Sequence, residues 1–596
     1  MSDDTLVAIF WDRVARYRDR VAQKVKRDGK WVDISWRQYG EIVREIALGL
    51  LALELQKGEA VALLSQSRGE WVQCDFGILS AGCITIPIYP SYPPDQIVYI
   101  VNDSEAKVLI VENQVQLDKV RQVLGKMERL ERIILMDGDP GGDPFVLSLE
   151  RLRALGLEKS TELAPRLEEL KDTVHPEDIA TIVYTSGTTG PPKGVMQTHG
   201  NHAAMLRSVS QRTDVGENDT HLLFLPLAHT FARLESYVGV HLGLITAFAE
   251  HIDKLAENLR EVSPTFIYSV PRVFEKVYAR LQAQVQAAPP LRQKIFRWAL
   301  GVGRQVSERQ QAARLIPPGL RLKHFVANRL VFHKIHQALG GRLRFCVSGG
   351  APLSREIAEF FHAVGILILE GYGLTECCPV LTGNTLDGFK FGTVGRAVPG
   401  VELRIAPDGE ILARGPNIAK GYFKKPEATA EVFDSDGWFH TGDVGVIDPD
   451  GFLTITDRKK DLMVTAGGIN VAPQNVENAL KTHPFISQAM VYGDKRPYPV
   501  ALIALNPEES AGWAKEHGLD PEDPTALARH DETRKLVARI IEEKNAILPS
   551  YAQVKKFAIV PGDFTQDGGE LTPTLKVKRK VVAEKYRDLI ESLYAP

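Results

Sequence analysis

At residues 181–194 the chain reads Thr181-Ile182-Val183-Tyr184-Thr185-Ser186-Gly187-Thr188-Thr189-Gly190-Pro191-Pro192-Lys193-Gly194. An apolar, strand-like run is followed by hydroxyls and glycines and then by a lysine. Glycines let a backbone approach a polyanion closely, and successive N–H groups donate to phosphate oxygens. The stretch predicts a phosphate-binding loop, with these candidate ligands: Thr185, Ser186, Gly187, Thr188, Thr189, Gly190 and Lys193.

The spacing around the lysine differs from a Walker A loop, which requires Gly-Lys followed by Ser or Thr. Here Pro192 precedes Lys193 and Gly194 follows it. A kinase or P-loop ATPase is therefore not expected. The alternative is a glycine- and threonine-rich surface turn, but chance seldom places so many hydroxyls and glycines ahead of a lysine directly behind a strand.

The sequence on both sides of this loop alternates between strand-like and helix-like patterns. Strand-like runs occur at residues 60–64, 83–88, 108–111, 132–136 and 343–347, and helix-like spacing at 42–55 and 71–81. Residues 264–343 are mostly helical in pattern, with breaks at Pro289-Pro290 and Pro317-Pro318-Gly319. Strands separated by helices indicate βαβ units, so the sequence predicts an α/β fold with parallel-rich sheets.

After Pro399-Gly400 the pattern changes to short strands with Asp-Gly turns, which indicates a small β subdomain. A charged string at 457–461 follows, and then a smaller α+β unit. We therefore place the main boundary at Asp457, between a large N-terminal domain over residues 1–456 and a smaller C-terminal domain over 462–596.

Composition excludes several classes of protein. A formal net charge of −3 gives no electrostatic argument for nucleic-acid binding. The five cysteines form no Cys-x-x-Cys pair, which is typical of reduced thiols rather than a disulfide framework or a zinc site. The acidic start has no signal-peptide pattern, and no apolar run approaches a membrane span. We expect a cytoplasmic protein.

Further motifs follow the phosphate loop in order. They are Leu225-Pro226-Leu227-Ala228-His229, Ser348-Gly349-Gly350-Ala351-Pro352, Glu370-Gly371-Tyr372-Gly373-Leu374-Thr375-Glu376, Thr441-Gly442-Asp443, Asp457-Arg458-Lys459-Lys460-Asp461 and Gly467-Gly468. A glycine pair lets a flat base lie close to the backbone, a hard cation prefers carboxylate oxygens, and a carboxylate suits a diol. Together these motifs resemble the adenylate-forming superfamily of acyl-CoA synthetases, peptide-synthetase adenylation domains and luciferases.

The resemblance implies a role for each motif. His229 would lie near the substrate carboxylate, although a structural histidine is the alternative, and Glu376 with Thr185 would hold Mg²⁺. Tyr372 would stack on adenine, and Asp443 would accept the ribose hydroxyls. The candidate nucleotide- and coenzyme-binding residues outside the loop are Gly349, Gly350, Ala351, Glu370, Gly371, Tyr372, Gly373, Thr375, Asp443, Ile455, Arg458, Gly467 and Gly468.

The resemblance also implies that residues 457–461 are a hinge and that residues 462–596 are a mobile C-terminal domain. The family has a mobile catalytic lysine near its C-terminus. Here the corresponding stretch is Leu571-Thr572-Pro573-Thr574-Leu575-Lys576-Val577-Lys578-Arg579. An ungapped overlay assigns Lys578 as this lysine, although Val577 replaces the usual glycine and Lys576 is the close alternative. This form of the motif is similar to that of long-chain fatty acid–CoA ligases.

The resemblance therefore implies an AMP-forming fatty acid–CoA ligase that uses ATP, Mg²⁺ and coenzyme A. The carboxylate would form an acyl-adenylate with release of pyrophosphate, and the acyl group would then pass to the thiol. Two alternatives stay open: a fatty acyl-AMP ligase that loads a carrier protein, and a non-catalytic relative that binds nucleotide or lipid. The intact Lys193, Glu376, Asp443 and Arg458 argue against the second.

One segment, 291–344, is strongly basic, with Glu308 as its single acid and apolar side chains interleaved. A basic amphipathic helix lies well on an anionic membrane, so the segment predicts peripheral contact with the inner face of the membrane. A solvated helical hairpin over the core is the alternative.

Overall fold

The computed structural model describes residues 3–185, 191–466, 470–572 and 576–595. Its α-helices are α1 Leu6–Tyr17, α2 Trp36–Ala52, α3 Gly69–Ser80, α4 Pro94–Asp103, α5 Gln114–Arg121, α6 Leu149–Glu158, α7 Ser160–Thr173, α8 His199–Ser210, α9 Thr230–Leu242, α10 Leu255–Val262, α11 Pro271–Gln286, α12 Pro290–Gln311, α13 Pro318–Ala327, α14 His333–Ala338, α15 Arg355–Ala363, α16 Pro426–Ala430, α17 Pro473–Lys481, α18 Pro507–Glu516, α19 Pro524–Arg529, α20 Asp531–Asn545, α21 Arg579–Lys585 and α22 Arg587–Ser592.

The strands are β1 Val21–Arg27, β2 Lys30–Ser35, β3 Ala60–Leu64, β4 Ile84–Ile88, β5 Val108–Val111, β6 Arg132–Leu135, β7 Val146–Ser148, β8 Ile179–Thr185, β9 Lys193–Thr198, β10 Thr220–Leu223, β11 Ile245–Phe248, β12 Phe266–Ser269, β13 Phe345–Ser348, β14 Leu367–Tyr372, β15 Thr382–Gly383, β16 Arg396–Ala397, β17 Glu402–Ile405, β18 Glu410–Arg414, β19 Phe439–Ile447, β20 Leu453–Arg458, β21 Met463–Val464, β22 Asn470–Val471, β23 Ile486–Tyr492, β24 Val500–Leu505 and β25 Lys556–Ile559.

Two large sheets form the framework. Sheet A has the order β16-β15-β14-β13-β12-β10-β11-β1-β2, and sheet B has the order β7-β6-β5-β3-β4-β8-β9. The inner strands of both sheets are parallel, whereas β9 joins β8 as an antiparallel hairpin. Strands such as β3 and β4 are buried along their whole length, as expected of parallel strands covered by helices on both faces.

The main hydrophobic core lies between the two sheets. It joins Val61 and Leu63 of sheet B to Leu223 and Phe266 of sheet A. Helix α9 runs through this core, and its residues from Thr230 to Val240 are all buried. Both sheets therefore pack around a central helix that begins at the candidate substrate histidine.

Smaller units follow sheet A along the chain. Sheet C consists of β17 to β20, with the predicted Asp408-Gly409 and Asp450-Gly451 turns between its strands. Sheet D consists of β23 to β25 and packs with α17 and α20 around a separate core that begins at Met463. The hydrophobic clusters on the two sides of residues 457–461 are therefore distinct, although the domain boundary there stays a prediction.

The structure confirms most of the elements expected from sequence. The strands at 60–64 and 108–111 have the predicted bounds, and helices α12 and α13 begin at the predicted proline breaks. Residues 264–343 are mostly helical, as predicted, and they also contain the short buried strand β12, because a short apolar run carries too little periodicity to distinguish a strand from a helix.

The basic segment folds as α12 and α13, followed by a π-helical turn at Asn328–Phe332 and by α14. One side of α12 packs on α15 and buries Phe296 and Val302 in a core on the outer face of sheet A. Within the described ranges, no helix has the length and apolar character needed to cross a bilayer.

Candidate active site

A cavity of about 2780 Å³ lies at the carboxyl ends of the parallel strands of both sheets. Its walls come from the loops after β3, β4, β10, β11, β12, β13 and β14, and from sheet C and the C-terminal unit. Ligands in α/β proteins bind in the crevice outside the carboxyl ends of the strands. The described members of every predicted motif line this cavity or border it.

The β8–β9 hairpin forms the phosphate end of the cavity. Thr185 is the register partner of Lys193, and its hydroxyl donates to the Lys193 carbonyl at 3.4 Å. The ammonium of Lys193 lies 5.0 Å from the centre of the Tyr422 ring. The structure describes only the two ends of the predicted loop. Five of its predicted ligands lie outside the described residues: Ser186, Gly187, Thr188, Thr189 and Gly190.

Glu376 faces this hairpin. The Tyr422 hydroxyl donates to its Oε1 at 2.8 Å, and burial raises the pKa of the carboxyl. Among the described residues, no group of three or more His, Cys, Asp or Glu side chains could hold a metal ion. A Mg²⁺ held by Glu376, the Thr185 hydroxyl, water and substrate phosphates fits this arrangement, because Mg²⁺ commonly binds through one or two carboxylates plus phosphate.

Asp443 and Tyr372 lie side by side at the predicted ribose and adenine positions. The Tyr372 hydroxyl donates to Asp443 Oδ2 at 2.6 Å, and Arg458 Nε lies 3.2 Å from Oδ1. Burial raises the pKa of Asp443, although Arg458 and the Tyr372 hydroxyl oppose that effect. Ile455, two residues before Asp457 on β20, also lines the cavity.

The glycine motifs bring the backbone close to the cavity. Gly350 has a φ of +82°, a conformation that favours glycine. A Cβ on Gly373 would lie 1.7 Å from the Pro379 carbonyl oxygen, so this position excludes any side chain. Glu370 accepts the Leu353 N–H at 3.2 Å, and burial raises its pKa to about 7. Ala351 and Gly371 line the same wall.

His229 caps the N-terminus of α9. Its Nδ1 accepts the Phe231 N–H at 3.1 Å. Burial, with a smaller effect of Lys576, lowers the pKa of His229 to about 4, so the ring is neutral at neutral pH. Because Nδ1 accepts a hydrogen bond, the proton of the neutral ring is on Nε2, which is then the donor for a ligand.

An apolar arm extends from His229 between the two sheets. Aromatic and aliphatic side chains form its wall: Phe231, Leu234, Tyr268, Phe345, Val347 and Leu369. The Phe231 and Tyr268 rings meet edge to face at 5.6 Å. An apolar ligand with a carboxylate near His229 fits the polarity of this wall.

The C-terminal hairpin brings a lysine to the same cavity. Leu571 bridges to Val577, and Val577 packs against the core of the C-terminal unit. Lys576 and Lys578 both line the cavity. The Lys576 side chain is exposed to the solvent of the cavity. Desolvation by the surrounding cavity wall, together with Arg458, lowers its pKa to about 8, and Asp443 opposes that effect.

The electrostatic surroundings of Lys576 and Lys578 differ, and the choice between them stays a prediction. The charge of Lys576 acts on Asp443, Arg458 and His229. Lys578 lies instead at the N-cap of α21, and its N–H donates to the Glu570 carbonyl at 2.7 Å. The sequence overlay alone does not separate the two lysines. They are two residues apart on an extended segment, where alternate side chains point to the same face.

Residues 10–423 match the AMP-binding enzyme family, and residues 460–596 match the AMP-binding enzyme C-terminal domain. The chain belongs to the AMP-binding enzyme family. The two matched regions flank the segment 424–459, which contains Asp443, Asp457 and Arg458.

The relatives of this AMP-binding enzyme span its whole length. It is 40% identical to the long-chain-fatty-acid–CoA ligase FadD15 of Mycobacterium tuberculosis, over 99% of this chain and 97% of that protein. It is 34% identical to the human long-chain-fatty-acid–CoA ligase ACSBG1, over 99% of this chain and 85% of that protein.

Solved structures share the fold. The anthranilate CoA ligase AuaEII in complex with anthranoyl-AMP has a TM-score of 0.74 and 22% identity, covering 99% of this chain and 98% of that one. The A domain of a carboxylic acid reductase from Segniliparus rugosus, in complex with AMP and a co-purified carboxylic acid, has a TM-score of 0.75 and 22% identity, covering 100% of this chain and 94% of that one.

The structure adds contacts to this AMP-binding enzyme's site that the motifs did not indicate. Tyr422 bridges to Val195 beside the phosphate hairpin and contacts both Lys193 and Glu376. Gln197 donates to the Thr375 carbonyl at 2.6 Å. Neither residue has a signal in the sequence, because each reaches the site through strand pairing.

Gly467 and Gly468, predicted to lie near the pantetheine channel, fall outside the described residues. Asn475 of the neighbouring helix α17 lines the cavity and donates to the Thr456 carbonyl at 3.3 Å. That hydrogen bond joins the C-terminal unit to the last strand of sheet C.

Proposed function

We propose that this chain is an AMP-forming long-chain fatty acid–CoA ligase. One observation carries the proposal: a single cavity joins the charged cluster of Lys193, Glu376, Asp443 and Lys576 to an apolar arm that begins at His229. The full-length relatives named as long-chain-fatty-acid–CoA ligases support the same activity. Release of pyrophosphate and formation of acyl-CoA, measured over a series of fatty-acid chain lengths, test it directly.

In the first step a carboxylate oxygen attacks the α-phosphorus of ATP, and pyrophosphate leaves as the bond to its bridging oxygen breaks. Negative charge grows on the phosphoryl oxygens, so catalysis depends on positioning and electrostatic stabilisation. Lys193 and Lys576 supply positive charge, and neutral His229 donates a hydrogen bond to the carboxylate. Mg²⁺, when held by Glu376 and Thr185, would neutralise charge on the phosphates.

In the second step the sulfur of coenzyme A attacks the acyl carbonyl carbon, and AMP leaves with its phosphate oxygen. The thiol gives up its proton in this exchange. This step no longer needs a cation at the leaving pyrophosphate. We propose that the C-terminal unit then rotates about Asp457, withdrawing its lysine and presenting the segment that contains Gly467 and Gly468, as in other hinge motions that gate enzymes.

Lys576 is proposed as the catalytic lysine of the first step, in place of Lys578. Its electrostatic contact with Asp443, Arg458 and His229 supports this choice. Lys576→Ala is expected to lose adenylation by about 100-fold or more, since removal of one preorganised charge-stabilising donor costs that much. Thioester formation from supplied acyl-AMP should persist.

Lys578→Ala is the matched control, because it removes the same charge two residues away. It should keep adenylation within a few-fold of the wild type. The assignment fails if the two variants exchange these phenotypes, whereas the proposed reaction fails if the wild-type protein forms neither pyrophosphate nor thioester.

Peripheral contact with an anionic membrane is proposed for the hairpin of α12 and α13. Large apolar side chains are exposed here, with Leu315 87%, Leu322 67% and Phe325 66% accessible. Exposed basic side chains surround them: Arg314, Arg321, Lys323 and Arg329. An apolar surface rimmed by cations suits insertion into the headgroup region of anionic lipid.

Sedimentation with vesicles of anionic and of neutral lipid tests this surface. The wild type should sediment with anionic vesicles at low salt, and the double variant Leu322→Ser/Phe325→Ser should not. Lys515→Ser, a change in the C-terminal unit, is the control and should bind as the wild type does. Failure of the wild type to bind anionic vesicles at low salt would end the proposal.

A further inference from the structure

A fully buried ion pair lies behind the active site, where none of the proposed steps uses it. Arg233 on α9 and Asp75 on α3 are 0% and 1% exposed in their side chains, and Arg233 Nη2 lies 2.8 Å from Asp75 Oδ1. Desolvation opposes the charge on the guanidinium, but Asp75 and Tyr237 outweigh it and raise the pKa of Arg233. A buried ion pair contributes little net stability compared with apolar residues of similar volume.

The pair holds the strand that carries the phosphate loop. Arg233 Nη1 donates to the Thr181 hydroxyl at 2.5 Å, and Thr181 is on β8, four residues before Thr185. The Thr181 hydroxyl in turn donates to the Thr85 carbonyl of β4 at 2.7 Å, and the Thr85 hydroxyl donates to Asp75 at 2.7 Å. All of these side chains are buried.

Those two threonines mark the junction between β8 and the parallel part of sheet B. The register pair between β4 and β8 is Thr85 with Thr181. From that pair β8 runs about 13 Å further to the start of the phosphate loop, at the usual rise of a strand. The Thr181 hydroxyl, which joins the two strands, is therefore held by Arg233, and the Thr85 hydroxyl is held by Asp75.

The helix that carries Arg233, α9, also presents the candidate substrate histidine, His229, at its N-cap. Arg233 lies one turn after His229 on α9, and its backbone N–H makes the ordinary helical hydrogen bond to the His229 carbonyl at 3.2 Å. The next residue after His229, Thr230, contacts the Thr375 hydroxyl at 3.3 Å. The Arg233 guanidinium thus connects α9, the helix that presents His229, to β8, the strand of sheet B that ends at Thr185.

We propose that Arg233 and Asp75 are positioning residues for adenylation, which set the distance between the acyl carboxylate held at α9 and the phosphates held at the β8–β9 hairpin. The in-line attack needs both groups at a fixed separation, and a displacement of about 1 Å can cost about 100-fold in rate. This inference rests on the proposed adenylation step.

Thr181→Val tests it with little change of shape, because it removes the hydroxyl that joins Arg233 to β8 and leaves the ion pair in place. Adenylation kcat is expected to fall about 10- to 100-fold. Thioester formation from supplied palmitoyl-AMP should stay within about twofold, because pyrophosphate has left before that step and the phosphate loop no longer positions it.

The double variant Arg233→Met/Asp75→Leu removes both charges together, so that neither is left buried and unpaired. It should unfold at about the wild-type temperature and show the same selective loss of adenylation. Ser236→Ala, at a buried position on α9 outside this network, is the control and should keep both half-reactions.

Wild-type adenylation in both Thr181→Val and the folded double variant would overturn the inference and leave the network with a purely structural role. An equal loss of both half-reactions would also contradict it. If the wild-type protein itself released no pyrophosphate, the proposed function would fail instead, so the two failures are distinguishable.

Discussion

At the scale of single residues, two side chains of the candidate site, Lys576 and His229, have lowered pKa values. Desolvation and Arg458 lower the pKa of Lys576 to about 8, and burial lowers that of His229 to about 4. Near neutral pH the lysine is charged and the histidine is neutral. In the proposed reaction the two side chains therefore have separate tasks: Lys576 would stabilise developing charge, and His229 would donate one hydrogen bond.

The lowered pKa of Lys576 predicts the pH dependence of adenylation. The charged form exists below the pKa, so kcat/KM for ATP should fall as pH rises through about 8 in the free enzyme. Initial rates of pyrophosphate release between about pH 6 and about pH 10 measure it. Lys578→Ala should keep the same fall, and Lys576→Arg should lack it because an arginine stays protonated.

A fall near pH 8 that persists in Lys576→Arg would show that another group titrates, and the role of Lys576 would then be wrong.

At the scale of elements, the end of β14 depends on the close approach of two backbone segments. Gly373 follows β14 directly, and its Cα lies against the Pro379 carbonyl so closely that a Cβ would stand 1.7 Å from the oxygen. Tyr372 and Thr375 flank this contact. The position of both nucleotide-facing residues therefore depends on a glycine between them.

Gly373→Ala is expected to destabilise the fold by about 1–3 kcal/mol or more, because an added carbon in a filled site forces the backbone apart. The KM for ATP should rise, since Tyr372 and Thr375 move with that backbone. Urea unfolding and pyrophosphate release measure the two effects. Gly301→Ala in α12, where a Cβ meets nothing within 4 Å, is the control and should be neutral or stabilising. Equal behaviour of the two variants would contradict the argument.

At the scale of the whole molecule, α11 joins the cavity to the C-terminal unit. Arg272 Nη1 donates to the Ser487 carbonyl at 2.8 Å, and Glu275 lies 3.6 Å from Arg272 and 3.9 Å from Lys481. These side chains are mostly shielded from solvent. These contacts join α11 to the C-terminal unit, which carries Lys576.

Arg272→Ala should therefore weaken adenylation several-fold, by about 1–2 kcal/mol of transition-state free energy, since it removes one partly buried charged hydrogen bond. Thioester formation from supplied acyl-AMP should be unchanged or faster, because release of the C-terminal unit favours the other orientation. Arg280→Ala, an exposed position about two turns further along α11, is the control. Parallel loss of both half-reactions in Arg272→Ala would contradict this role of the contact.

The sequence by itself determined the α/β class, the small β subdomain, the bounds of β3 and β5, and the order of the motifs that form the site. These features are local: strand periodicity, glycine-dependent turns and a hydroxyl-rich loop before a lysine are all read within a few residues. Membership of the AMP-binding enzyme family confirms the recognition that rested on them.

Only the tertiary structure decided which groups meet. Tyr422 reaches Glu376 through strand pairing, the charge of Lys576 acts on Asp443 because the C-terminal unit lines the same cavity, and Arg233 reaches Thr181 across the core between two sheets. Each partner is far away along the chain, so no local pattern encodes the contact. Spatial proximity and burial, which set pKa values and ion pairing, arise only when the separate elements pack together.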